Sequence, residues 1–204
     1  MLVICSNGLS SDKLLSEVKN KITGTTAALV VTGDPEYKEK DWNVPRCKNE
    51  LEQLGLTVSF FDLDFDNTND LLKYDVVEFI GGNPFYLLDR IRKIKCENVL
   101  KEIVDKKVLI GWCAAALCFS PSIELINIYS PELNFVNLTD FKGLSLTDII
   151  ILPHYSKFVN KFDRFEERCQ EYEEKNNIMV VRLNDGEGII ITNEVKYVKE
   201  ELVV

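Results

Sequence analysis

Short apolar runs, rich in Val, Ile and Leu, alternate with amphipathic stretches through the first half of the chain. Leu2-Val3-Ile4-Cys5, Ala27 to Thr32, Val58 to Leu63, Val76 to Ile80 and Val108 to Ile110 read as strands. Leu14 to Ile22, Pro45 to Leu54, 85–93 and 97–105 carry their apolar residues at helical spacing. Several strand runs are apolar at nearly every position, which is the pattern of strands covered on both faces. Strands and helices alternating in this way predict βαβ units and a mostly parallel sheet, an α/β three-layer sandwich. Toward the C-terminus the pattern changes. Ile149 to Leu152 is a buried strand that delivers Pro153-His154, and 160–175 is a charged helix. Residues 178–183, 188–192 and 195–198 then read as a short antiparallel meander, separated by Asn184-Asp185-Gly186 and Asn193. With no repeat or linker, a single domain over 1–204 is expected.

Composition excludes several function classes. Basic residues number 24 and acidic residues 33, a net charge of −9, which argues against nucleic acid as the main partner, because phosphate binding needs a basic patch. No apolar run approaches the ~20 residues of a membrane span, and the N-terminus has no basic leader of a signal peptide. The chain has six cysteines without a CxxC and one histidine, which argues against a zinc site or a disulfide framework. The expectation is a cytoplasmic protein with free thiols and neither metal nor cofactor.

In an open α/β sheet, ligands bind beyond the carboxyl ends of the strands. Three features stand there: Gly81-Gly82-Asn83, Cys113 and His154. Gly111-Trp112-Cys113-Ala114-Ala115 fits a nucleophile elbow, in which small residues flank a nucleophile on a tight strand-to-helix turn. A helix starting there would lower the thiol pKa. A small cysteine buried at a crowded corner would leave the same local pattern. His154 is either a general base for the thiol or a satisfied polar residue at a strand end. The glycines either bring backbone N–H groups to an oxyanion or form a plain turn. No GK[ST] follows them, so this is not a P-loop.

FIGGNPFYLLDRIR, IGWCAAA and LPHY, in that order, resemble the peptidase E family (peptidase family S51, aspartyl dipeptidases). The resemblance implies a flavodoxin-like, class I glutamine amidotransferase-like fold. It also implies a hydrolase that cleaves a small peptide or amide bond without a cofactor. It puts Cys113 at the position of the family's nucleophilic serine, His154 as base, and Gly82 with Ala114 as oxyanion-hole donors. Asn83 and Tyr155 are implied as substrate contacts, and Arg164 is a candidate cation for the aspartyl side chain the family recognises, or else a solvated helix residue. Three departures stand out: cysteine for serine, Ala115 for glycine, and Pro84 for threonine. The family's third triad residue is an aspartate shortly after the nucleophile, where this chain has Asn127-Ile128-Tyr129-Ser130. The orienting group is then Asn127, Ser130, Glu124 or an acid of Asp185-Gly186-Glu187. A silent relative that binds a ligand or partner in the same crevice is the alternative, and a thiol redox or glyoxalase-like activity ranks third. The expected partner is a small peptide substrate, with a homodimer left open and neither nucleic acid nor membrane involved.

Overall fold

Alternate residues of the first strand leave the sheet in opposite directions, and both directions lead into apolar core. The structure, a computed structural model, describes residues 1–199. In β1 (Leu2–Cys5), Leu2 and Ile4 enter one cluster while Val3 and Cys5 enter another. The elements that follow are α1 (Asp12–Lys19), β2 (Thr26–Val30), α2 (Val44–Gln53), β3 (Thr57–Phe61), β4 (Val76–Phe79), α3 (Pro84–Lys93), α4 (Glu97–Lys106), β5 (Val108–Trp112) and α5 (Ala114–Phe119). Residues of α1 and α2 pack on the face that receives Val3, and those of α3, α4 and α5 on the face that receives Leu2. This two-sided burial explains runs that are apolar at successive positions.

The remaining elements are α6 (Glu124–Tyr129), β6 (Ile150–Leu152), α7 (Tyr155–Phe158), α8 (Phe165–Asn176), β7 (Val180–Arg182), β8 (Gly188–Ile191) and β9 (Val195–Val198). The main sheet has seven strands in the order β3-β2-β4-β5-β1-β8-β9. Pairing is parallel from β3 to β1 and antiparallel for β8 and β9. The carboxyl ends of β4, β5 and β1 therefore lie side by side at one edge. The architecture is α/β and flavodoxin-like, with a mostly parallel sheet between helical layers.

Two expectations are corrected. The segment 178–183 does not join an antiparallel meander, because β7 pairs parallel with β6 in a separate two-stranded sheet. Arg182 holds β7 against α8 through Glu166 at 2.7 Å and Glu173 at 2.6 Å. Val180, Ile150 and Leu152 share a third apolar cluster with Tyr129, Phe165 and Tyr172. The strand that delivers His154 thus lies outside the main sheet, with Ile150 and Leu152 in this satellite core and Ile151 in the main one. The charged helix also starts later than 160, because Arg164 takes a left-handed conformation (φ 47°) just before α8.

One buried polar group departs from the apolar pattern. Glu78 lies in β4 with no solvent exposure, and neither carboxylate oxygen has a hydrogen-bond partner among the described residues. Burial, reinforced by the neighbouring Glu50, pushes its pKa well above the ordinary value of 4.5, while Arg46 and Trp112 pull weakly the other way. Burial therefore favours the protonated form of Glu78 in the folded protein. A carboxyl group with a raised folded pKa holds a proton that the unfolded chain releases above about pH 4.5, so its contribution to stability falls as pH rises from there. Glu78→Gln removes this dependence. Thermal denaturation from pH 4.5 to 8 is expected to show the variant gaining in Tm over the parent as pH rises. A constant difference would show that Glu78 ionises normally.

Candidate active site

The strand β5 ends at Trp112, and the chain turns sharply at Cys113 before α5 begins. Cys113 has φ 49° and ψ −113°, a region L residues avoid at a cost of order 1–3 kcal/mol. Its N–H donates to the Cys5 carbonyl at 3.1 Å and its carbonyl accepts from the Leu117 N–H at 3.0 Å, which fix the turn from both sides. The small flanks are dictated by packing. A Cβ on Gly111 would lie 2.3 Å from the Phe119 ring, and Ala114 and Ala115 are fully buried. All six cysteines are free, and Cys113 alone among them is not buried.

Beside it, the loop after β4 supplies Gly82. This residue has φ 129°, and a Cβ there would sit 2.2 Å from the Gly33 carbonyl oxygen, so only glycine fits. The backbone N–H groups of Gly82 and Ala114 both act on the Cys113 sulfur and favour its charged form. Burial outweighs them, with a further push from the Asp185 charge, and the thiol pKa is pushed up to about 11. The lowered pKa expected from a helix start is overridden, because α5 spans six residues and the sulfur is desolvated. Asn83 is occupied structurally. Its Oδ1 caps α3 by accepting from the Phe85 and Tyr86 N–H groups, each at 3.0 Å, and its Nδ2 donates to the Leu133 carbonyl at 2.8 Å. Pro84 fills the first turn of α3, where a backbone N–H would have no helical acceptor.

The satellite core brings in His154, which follows β6 in a left-handed conformation (φ 55°). Its backbone N–H donates to Ser6 Oγ at 2.8 Å, and its Nδ1 lies 2.5 Å from Asp185 Oδ1. The Ser6 hydroxyl donates to the same carboxylate oxygen at 3.0 Å, and Lys157 forms an ion pair with the other. Burial works to raise the Asp185 pKa, but Lys157, His154 and Ser6 together hold it below the usual carboxylate value. A carboxylate at Nδ1 places the ring proton there and leaves Nε2 as the basic nitrogen. Among the described residues no hydrogen bond joins the ring to the Cys113 thiol. Phe158 packs edge-on against the imidazole, with ring centroids 5.4 Å apart.

Of the residues singled out in the sequence, Cys113, Gly82 and Ala114 line one cavity, and Ser130 lies on its wall. The carboxylate on His154 is Asp185, and none of Asn127, Ser130, Glu124 or Glu187 is hydrogen-bonded to the ring. Glu187 instead accepts the Asn184 N–H at 2.7 Å through its side chain and the Ser6 N–H at 3.1 Å through its carbonyl, bracing the loop that carries Asp185. Tyr155 packs against Phe165 in the satellite core and does not line the cavity. Arg164 is exposed and ion-paired with Glu171 at 2.5 Å. Ser6, Lys157 and Lys161 stand at the candidate site and were not singled out in the sequence. Ser6 follows β1 directly, as Cys113 follows β5, and that placement was a usable signal. Lys157 is visible only once the single turn of α7 is known.

The sequence profile of peptidase family S51 matches residues 2–198. An uncharacterized peptidase of Listeria monocytogenes is 32% identical over 148 residues, covering 70% of this chain and 72% of that protein. A peptidase E of a Nostoc species is 26% identical, covering 84% of this chain and 68% of its own length. Among solved structures, a candidate peptidase E protein from Listeria monocytogenes superposes with a TM-score of 0.78 at 28% identity and 98% coverage of both chains. A peptidase from an acI-B1 Actinobacterium shares the fold, with a TM-score of 0.74 at 17% identity, over 98% of this chain and 87% of that one.

The raised thiol pKa has a direct readout. Alkylation of Cys113 by iodoacetamide is expected to quicken about tenfold per pH unit from pH 7 to 10, levelling only near the thiol pKa of about 11. A plateau below pH 8 would reveal a resting thiolate–imidazolium pair instead.

Proposed function

The chain belongs to peptidase family S51, a family of hydrolases, and we propose that it cleaves a small peptide or amide bond through a thioester on Cys113. His154 is the general base, Asp185 orients it, and the Gly82 and Ala114 N–H groups form the oxyanion hole. The observation that carries this reading is the convergence on one sulfur: a strained elbow presents it and two backbone donors act on it. A hydrogen-bonded His–Asp pair is held by Ser6, which follows β1, the strand beside β5.

A neutral resting thiol shapes the mechanism. With a pKa of about 11, forming the thiolate at pH 7 without help costs about 5 kcal/mol, at about 1.36 kcal/mol per pKa unit. The proton therefore passes to His154 Nε2 as sulfur attacks the carbonyl carbon, and Asp185 stabilises the imidazolium. The carbonyl oxygen takes the negative charge and receives the Gly82 and Ala114 N–H groups. The tetrahedral intermediate collapses, the C–N bond breaks and His154 returns the proton to the leaving amine. Water then attacks the thioester, giving its proton to His154. The sulfur leaves and is reprotonated, which frees the carboxylic acid. The cysteine in place of serine fits this chemistry, since a thiol needs less activation than a hydroxyl, and the N–H that Pro84 lacks would have no helical acceptor at the start of α3.

A silent ligand-binding relative is the second reading, favoured by the raised thiol pKa and the missing Cys113–His154 hydrogen bond. Intact mass spectrometry during incubation with a dipeptide library separates the two. Hydrolysis is expected to produce an acyl adduct that Cys113→Ala abolishes. His154→Ala is expected to slow turnover by on the order of 10²-fold or more and Asp185→Asn by a smaller factor. Ligand binding that survives in Cys113→Ala, with no adduct or turnover in the parent, would establish the silent reading.

A further inference from the structure

The cavity beside Cys113 has the wrong lining for an acidic side chain. Its walls include Leu117, Tyr129, Leu152, Phe158, Phe162 and Phe165, and Lys161 is the one charged residue among those that line it. Tyr129 shows the cavity its ring and not its hydroxyl, which donates to the Phe165 carbonyl at 2.6 Å. The Lys161 ammonium lies 5.4 Å above the Phe158 ring and 5.3 Å above the Phe162 ring, on an exposed residue at the rim. Arg164, the cation the sequence offered for an aspartyl substrate, points its charge at Glu171. A carboxylate pushed among these rings would lose its hydration without gaining a buried partner, which costs several kcal/mol.

The size agrees with the chemistry. The cavity holds about 160 Å³, and an apolar protein cavity of about 150 Å³ takes up benzene. Resting on the hydrolase reading above, we infer that this cavity is the specificity pocket for the residue whose carbonyl is attacked, and that it selects a benzyl-sized aromatic side chain. Phe158 forms part of the wall and also packs edge-on against His154, so a seated ring presses on the side chain that backs the imidazole. Lys161 is the exposed, solvated member of the lining. It is placed to meet an anionic group elsewhere on the substrate.

The test compares Phe-Ala, Leu-Ala, Ala-Ala, Asp-Ala and Lys-Ala as substrates, with loss of the dipeptide as the readout. The kcat/KM for Phe-Ala is expected to exceed that for Ala-Ala by at least about 30-fold, or about 2 kcal/mol at 1.4 kcal/mol per factor of ten. Asp-Ala is expected to be no better than Ala-Ala. Phe162→Ala is expected to cut the Phe/Ala ratio at least about tenfold. Preference for Asp-Ala, lost in Lys161→Met, would overturn the inference while leaving the hydrolase reading intact. If none of the dipeptides is cleaved, calorimetric binding to Cys113→Ala decides the pocket separately from the hydrolase reading. Phe-Ala binding at least about tenfold tighter than Ala-Ala supports the aromatic pocket. Equal binding, or tighter binding of Asp-Ala, sinks it. The same binding comparison decides the matter if Phe162→Ala does not fold.

Discussion

Burial of the sheet on both faces is the constraint from which the other features follow. A strand covered above and below needs apolar residues at successive positions, which Val3 and Ile4 or Leu109 and Ile110 supply from a single strand to two different cores. Helices must then cover both faces, and the connections must run parallel. Parallel connections bring every carboxyl end to the same edge. The order β4-β5-β1 puts the glycine loop, the elbow and Ser6 next to one another there. No local preference of Gly82, Cys113 or Ser6 would have assembled them.

Much of this was legible in the sequence, and the illegible parts have identifiable causes. The parallel strands β1 to β5 announced themselves because their apolar runs are dense and their helices have clear polar faces. The small sheet of β6 and β7 was misread because each strand has three residues, too short for a pattern to show which partner it joins. Asn184-Asp185-Gly186 looked like a hairpin turn, yet it connects two different sheets. Cys113 and Gly82 stood out through their small neighbours, whose smallness traces to particular obstacles, the Phe119 ring and the Gly33 carbonyl. Asp185 was one of several acids on offer, because a side chain that meets His154 across 31 residues of sequence leaves no periodic trace. The capping duty of Asn83 was hidden for a different reason: an asparagine before a proline reads equally well as a cap and as a binding residue.

The electrostatics of the site run against a first intuition about cysteine. A helix start beside a thiol suggests a stable thiolate, but α5 is short and the sulfur is enclosed, so desolvation dominates. Asp185 adds to this, since a negative carboxylate opposes a second negative charge nearby. The same carboxylate is held ionised by Lys157, His154 and Ser6. The site therefore stores its charge on the acid and keeps the sulfur neutral, an arrangement that slows adventitious oxidation of the thiol, since the thiolate is the form that reacts.

Ser6 has a consequence of its own. Its hydroxyl accepts the His154 backbone N–H and donates to Asp185, so a residue just after β1 grips both members of a pair that follows the two strands of the smaller sheet. It works as a dowel between the larger sheet and the smaller one. Joinery of this kind registers the smaller sheet on the larger through one side chain, alongside the apolar contacts that Ile151 and Leu183 make with the main core.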